Sequence, residues 1–74
     1  MKNEIRELIA KILNVSTDVV VDDLAVGDIP EWDSLAHMNI IASIEKEFGI
    51  TIDIEQTLDI EDVEDIIEIV KSNK

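Results

Sequence analysis

Hydrophobic residues recur at helical spacing in three separate segments of the chain. The first segment has an apolar stripe formed by Ile5, Leu8, Ile9 and Ile12. These positions follow the i, i+3, i+4, i+7 pattern of an amphipathic helix. We therefore predict a first helix over roughly residues 3–14, with Asn3 as its N-cap and Asn14 near its end.

A second helix is predicted over roughly residues 34–48, where Gly49 is a natural residue to end it. The residues expected to form its inward face are Leu35, Met38, Ile41 and Ile44, with Ile40 and Phe48 joining at four-residue steps. A short third helix is expected over residues 55–59. The fourth helix, roughly residues 61–72, has a stripe formed by Val63, Ile66, Ile67 and Val70.

The segment between the first two helices, VSTDVVVDDLAVGDIPEWD, is long for a small domain. Two short segments have strand character: Val19, Val20 and Val21 in this loop, and residues 50–54 after the second helix. Neither segment has a convincing partner strand. We interpret the valines as loop residues, with a helical turn, that seal the bundle. The expected fold class is all-α: a four-helix bundle with three main helices, a short third helix and a long first loop, in one domain over residues 1–74.

The charge is strongly negative, with 6 Lys and Arg against 18 Asp and Glu and a formal net charge of −12. Nucleic acid and anionic membranes are therefore excluded as expected partners, because both need basic residues. A partner with a basic patch is favoured instead. The N-terminal MKNEIRELIAK is unlike a signal peptide, and every apolar run is too short to span a membrane. We expect a cytoplasmic monomer.

Two kinds of chemistry need weighing around the second helix start. Asp33, Ser34 and His37 suggest a hydrolase triad, but no Gly-x-Ser-x-Gly elbow is present, so hydrolysis is disfavoured. The chain has no cysteine, hence no thiolate zinc site and no thiol of its own.

Metal binding is the second kind of chemistry to consider. Carboxylates crowd the first loop at Asp18, Asp22, Asp23, Asp28, Glu31 and Asp33. The register of an EF-hand is missing, and one histidine cannot anchor zinc. We predict no specific metal site, and weak, diffuse binding of Mg²⁺ or Ca²⁺ stays open.

The stretch EWDSLAHM can be explained as a capped helix start, in which Asp33 accepts hydrogen bonds from the first backbone N–H groups. Trp32 can be a buried anchor for the loop, or it can help to present whatever is attached at Ser34. The larger setting then matters. A long acidic loop precedes DSL, EKEFGI closes the second helix, and DIEDVEDIIEIV forms the last one.

Together with WDSLAHMNIIASIEKEFGI, this arrangement resembles an acyl carrier protein over almost the full length. The resemblance implies that Ser34, flanked by Asp33 and Leu35 of the DSL motif, carries 4′-phosphopantetheine. It also implies that a phosphopantetheinyl transferase installs this arm from coenzyme A with Mg²⁺. Acyl groups then travel as thioesters between acyl-activating and acyl-transferring or synthase enzymes with basic docking patches.

The chain departs from the common family pattern in two places, just before and on the second helix, which is the family's main docking surface. Trp32 stands directly before Asp33 in place of a small residue, and Ala36, His37 and Asn39 stand on the exposed side of the early helix in place of acids. We expect these four residues to contact docking partners, which should belong to a dedicated pathway rather than to generic fatty-acid synthesis. The candidates for lining an acyl cavity are Met38, Ile41, Ile44 and Phe48, although ordinary core packing is the simpler explanation for them.

Two other functions stay open. An aminoacyl or peptidyl carrier would have the same fold and serine. A non-carrier acidic helical module, binding a basic partner, would use Ser34 only to start a helix.

Overall fold

The computed structural model describes residues 2–73 and has the predicted all-α architecture. Its helices are α1 (Lys2–Leu13), α2 (Ser34–Phe48), α3 (Ile54–Asp59) and α4 (Val63–Ser72). Over residues 2–73 there is no strand, only an isolated bridge between Ala25 and Asp62. The predicted fold class is therefore confirmed. The predicted domain also included Met1 and Lys74, which lie outside the described residues.

The helix ends show where local sequence signals act. The prediction of Asn3 as N-cap was wrong, because α1 begins at Lys2 and Asn3 lies inside its first turn. Asn14 has φ 59° and ends α1, while the N–H of Val15 donates to the carbonyl of Ala10 at 3.0 Å. Gly49, with φ 64°, ends α2 in the same left-handed way, as predicted.

The core consists of apolar side chains, and no polar or charged side chain of residues 2–73 is buried. α1 packs chiefly against α2 and also against α4. The largest fully buried side chains are Trp32, Ile5, Ile9, Ile40, Ile44, Ile66, Val20, Val63 and Val70. Because all of these are apolar, burial is the main force holding the helices together.

The inward face predicted for α2 is only half correct. Ile41 and Ile44 are buried, but Leu35 and Met38 are 73% and 55% exposed. Each residue of an α-helix turns the side chain by about 100°, so positions three apart drift steadily around the axis. Over the nine positions from Leu35 to Ile44 this drift places the two side chains on opposite sides of α2. Ile40, which was predicted to join the inward face, is buried together with Ile41 and Ile44.

The valines of the first loop separate in the same way. Thr17–Val19 forms the expected helical turn, as a short 3-10 helix. Val20 is fully buried, whereas Val19 and Val21 are 39% and 46% exposed. Only Val20 therefore seals the bundle, because three consecutive side chains cannot all face one side.

Loop residues 22–26 are held against the beginning of α4 by three backbone hydrogen bonds. Val63 and Glu64 donate to the carbonyls of Leu24 and Asp22 at 3.0 and 2.9 Å, and Val26 donates to Glu61 at 2.8 Å. The first N–H groups of a helix lack acceptors within that helix. Here the loop supplies the acceptors, which are the carbonyls of Leu24 and Asp22. The long loop is thus a fixed part of the fold.

Asp22 connects this same segment to α1. Its carboxylate pairs with Lys2 Nζ at 2.9 Å and with the Arg6 guanidinium. Hydrogen bonds from Lys2 and then Arg6 lower the pKa of Asp22 below its ordinary value of 3.8. The ionised form is therefore stabilised by folding, and Asp22 joins α1, the loop and α4 at one point.

We expect Asp22→Asn to lower the melting temperature at neutral pH. Because the pKa of Asp22 is depressed in the folded state, its contribution is present above 3.8 and is lost as pH falls through the folded value. Thermal unfolding by circular dichroism across pH should show the deficit shrinking in acid. The control is Asp23→Asn at the exposed neighbouring position. A deficit that persists unchanged far below 3.8 would contradict this role.

Two isoleucines provide a matched test of the core. Ile44 is fully buried and Ile54 is 78% exposed. Ile44→Val should lower the free energy of unfolding by about 1 kcal/mol. Ile54→Val should change it by less than about 0.5 kcal/mol. Urea titrations of both variants make the comparison, and equal effects would show that α2 packs differently.

Candidate functional site

A compact turn over residues 25–32 brings Trp32 into the core just before α2 begins. Gly27 donates its N–H to the Trp32 carbonyl at 2.9 Å, and Ala25 donates to the Asp28 carboxylate at 2.9 Å. Gly27 has φ 89°, which suits glycine. Trp32 itself is 0% exposed. The prediction that Trp32 contacts docking partners is therefore wrong, because its ring is packed inside the bundle as a loop anchor.

Asp33 then caps α2, as predicted. Its backbone is extended, and its carboxylate accepts a hydrogen bond from the N–H of Ala36 at 2.9 Å. Its carbonyl accepts from the N–H of His37 at 2.9 Å. Ser34 is the first residue of α2 and is exposed. A buried tryptophan and a helix cap thus fix the backbone immediately before an accessible hydroxyl.

A hollow of about 350 Å³ opens beside Ser34 between the first loop, α2 and α3. It is lined by Val26, Ser34, His37, Met38, Thr57, Leu58, Ile60 and Glu61. Most of this surface is apolar, and Leu58 is 76% exposed at its edge. The apolar residues of the loop, α2 and α3 therefore form a surface beside Ser34 that the apolar parts of a group attached to its hydroxyl could contact.

The half-buried side chain of His37 contacts the ring of the buried Trp32. The Trp32 indole Nε1–H donates to His37 Nδ1 at 3.1 Å, with ring centroids 6.0 Å apart. Burial lowers the pKa of His37 below 6.5, and a hydrogen bond with the backbone of Thr57 partly offsets this. An indole N–H only donates, so Nδ1 is the acceptor and the imidazole is neutral.

This geometry differs from that of a serine hydrolase. In a Ser-His-Asp triad the aspartate accepts the Nδ1–H of the histidine and orients the ring. Here His37 Nδ1 accepts from Trp32, and the Asp33 carboxylate is bound to the N–H of Ala36. Asp33 therefore caps the helix and does not orient His37.

The remaining predicted site residues lie at different depths. On α2, Ala36 and His37 are half-buried, while Leu35 and Asn39 are exposed. The four acyl-cavity candidates are not brought together. Met38 lines the hollow beside Ser34, but Ile41 and Ile44 belong to the core. Phe48 lines a separate hollow of about 290 Å³ between α1 and the end of α2, together with Glu4, Glu7, Leu8, Lys11 and Glu47.

Several residues of this region were missed from the sequence. Val26, Thr57 and Leu58 line the hollow beside Ser34, and Ile54 stands 78% exposed on α3. Ile54 and Leu58 are four residues apart and so share one face of a helix. That spacing was a usable signal for α3, whereas the position of Val26 depends on how the loop folds.

Within residues 2–73 no three His, Asp or Glu side chains are grouped so that they could hold a metal ion. No helix over the same range is long and apolar enough to cross a membrane.

The family follows from comparison with known sequences. The sequence model of the family described as "Phosphopantetheine attachment site" matches residues 3–70 of this chain. The chain therefore belongs to that family and is a phosphopantetheine carrier protein of the acyl carrier family. Its prosthetic group is phosphopantetheine, which is bound covalently to a serine.

The role of Asp33 at this site can be divided into capping and charge. Asp33→Ala should lower the free energy of unfolding by about 1 kcal/mol, because the N–H of Ala36 loses its acceptor. Asp33→Asn keeps an acceptor oxygen and should cost only a few tenths of a kcal/mol, since asparagine caps about as well. Chemical denaturation of both variants measures this. Equal losses would mean that the negative charge, rather than the cap, is what stabilises the helix start.

Proposed function

We propose that Ser34 carries the 4′-phosphopantetheine arm. The chain has three other serines. Ser16 is occupied in capping the short 3-10 helix, and its Oγ accepts from the N–H of Asp18. Ser43 is half-buried within α2, and Ser72 lies beyond residues 3–70, which the family covers. Ser34 is exposed at the start of a long helix beside an apolar hollow. That combination is the observation that carries the proposal.

The local chemistry fits a phosphodiester on Ser34 Oγ. The start of α2 presents backbone N–H groups and the positive end of the helix dipole, both of which favour an anion. The Asp33 carboxylate opposes a second negative charge nearby, but it is engaged with the N–H of Ala36. The arm, when attached, supplies the thiol that this cysteine-free chain lacks. The protein's own residues hold and present it.

The cargo we propose is an acyl group, carried as a thioester in fatty-acid, polyketide or specialised lipid or sugar biosynthesis. The apolar lining of the hollow, from Val26, Met38, Leu58 and Ile60, supports an apolar cargo or arm surface. An aminoacyl or peptidyl carrier is the alternative, since it would have the same fold and serine. We propose no catalytic activity for the chain itself and place it in the cytoplasm as a monomer.

The proposed partners are a phosphopantetheinyl transferase and the enzymes that load and use the acyl group. Four exposed apolar side chains lie on α2 and α3 near Ser34: Leu35, Met38, Ile54 and Leu58. With Ala36, His37 and Asn39 they form the docking surface that we propose. The net charge of −12 would attract basic patches on these partners, and salt should weaken the encounter. The small number of acids on early α2 supports dedicated partners.

The test is intact-mass spectrometry after incubation with coenzyme A, Mg²⁺ and a transferase of broad specificity. We expect one added phosphopantetheine in the wild-type protein and in Ser72→Ala, which removes another exposed serine. Ser34→Ala should show no addition, because the accepting hydroxyl is gone.

Circular dichroism must show that Ser34→Ala remains folded. Addition to folded Ser34→Ala would move the attachment to another serine. No addition to the wild type, by a transferase active on a control carrier, would favour a non-carrier module.

A further inference from the structure

α3 is held to the rest of the molecule by few buried groups. None of its own residues is buried, and both Ile54 and Leu58 point largely into solvent. Its start is fixed by a capping box between Asp53 and Gln56. The residues just outside it, Ile52 and Ile60, are buried and fix its two ends. Contacts from α2 to the α3 backbone therefore matter for where this helix lies.

His37 provides such a contact and also reaches into the core. On one side its imidazole bonds to the backbone of Thr57 in α3. That bond favours the charged imidazole, so the acceptor is the carbonyl oxygen and the ring donates. On the other side Nδ1 accepts from Trp32 Nε1 at 3.1 Å. A neutral imidazole makes both bonds at once, with the proton on Nε2.

The position of this bridge relates it to Ser34. Ser34 and His37 are three residues apart on α2, so they are neighbours on the helix surface. Both line the same hollow, whose other wall includes Thr57 and Leu58. The bridge from Trp32 through His37 to Thr57 therefore runs beside that hollow, from the loop to α3, and two of its three residues line it.

We propose that neutral His37 is a positioning residue, which fixes the first turn of α2 and the backbone of α3 at a set separation across the hollow beside Ser34. The functional role of His37 in the carrier rests on the attachment of the arm at Ser34, as proposed above. The bridge itself does not depend on the arm.

Protonation of His37 breaks this bridge on one side. A proton on Nδ1 would face the indole N–H, so two donors would meet at 3.1 Å. The buried Trp32 N–H would then lose its acceptor, which is costly in an apolar core. The Nε2–H would still donate to Thr57. The connection between α3 and the loop is therefore lost at Trp32.

The hydrogen bond from Trp32 and the burial of His37 both favour the neutral imidazole. Burial lowers the pKa of His37 below 6.5, so the bridging form predominates at neutral pH. Stability from the bridge is present above 6.5 and declines as pH falls from there toward the folded pKa. Among neighbouring groups, Glu61 lines the same hollow from the segment before α4, and Asp33 caps the same helix. Thr57 contributes no charge from α3.

The single tryptophan and single histidine allow a direct test. Nuclear magnetic resonance of the unmodified protein would follow the Trp32 indole N–H and the His37 ring protons as pH is lowered. We expect both to titrate with one midpoint below 6.5. Hydrogen exchange of the indole should speed up roughly fivefold to tenfold beyond its intrinsic pH dependence, as expected for one lost hydrogen bond. Amides of Ser34 and Thr57 should shift with the same midpoint.

Two variants separate positioning from simple packing. His37→Asn places an oxygen near the position of Nδ1 and does not titrate, so the indole should stay bonded and become insensitive to pH in this range. His37→Leu removes the acceptor, so exchange should be fast at every pH. Glu61→Gln is the control for the other titratable group in the hollow and should leave the indole titration in place.

The proposal is overturned if the indole signal stays constant while His37 titrates, or if Glu61→Gln abolishes the titration. It is also overturned if the amides of α3 do not respond. Should His37→Leu fail to fold, the wild-type titration and His37→Asn still decide. All of these measurements use protein without the arm, so their failure is distinct from failure of Ser34 to accept phosphopantetheine.

Discussion

The burial of Trp32 is the constraint on which the rest of the site depends. Trp32 is the largest fully buried side chain and stands two residues before Ser34. Its ring anchors the end of a long loop, and its carbonyl closes the turn through Gly27. Asp33 follows directly and caps α2. The burial of Trp32 thus fixes the position of the chain two residues before the exposed Ser34.

A second constraint is the balance between a small apolar core and a net charge of −12. Self-repulsion of the carboxylates opposes compaction. Several of these carboxylates form ion pairs or accept hydrogen bonds within the fold. Asp22 pairs with α1, while Asp33, Asp53 and Asp62 each cap a helix. Asp28, Glu45 and Asp65 likewise accept hydrogen bonds from backbone N–H groups.

Local sequence signals predicted the helices well, because amphipathic spacing and capping residues act within a few positions. The bounds of α2 and the left-handed end at Gly49 follow directly from these signals. The exposure of Leu35 and Met38 was not predicted. Both are apolar, and residue type alone does not show that Met38 faces an open hollow rather than the closed core. Similarly, helical spacing could not show that Trp32 donates to His37.

The sequence by itself determined the all-α class, the helix positions, the acidic character and the motif around Ser34. These depend on residue type and short spacing, which are readable along the chain. Only the tertiary structure decided which apolar residues are buried, where the first loop lies and what surrounds Ser34. Those features come from packing between residues far apart in sequence, such as Val26 with Glu61 and His37 with Thr57. Such contacts leave no periodic trace along the chain.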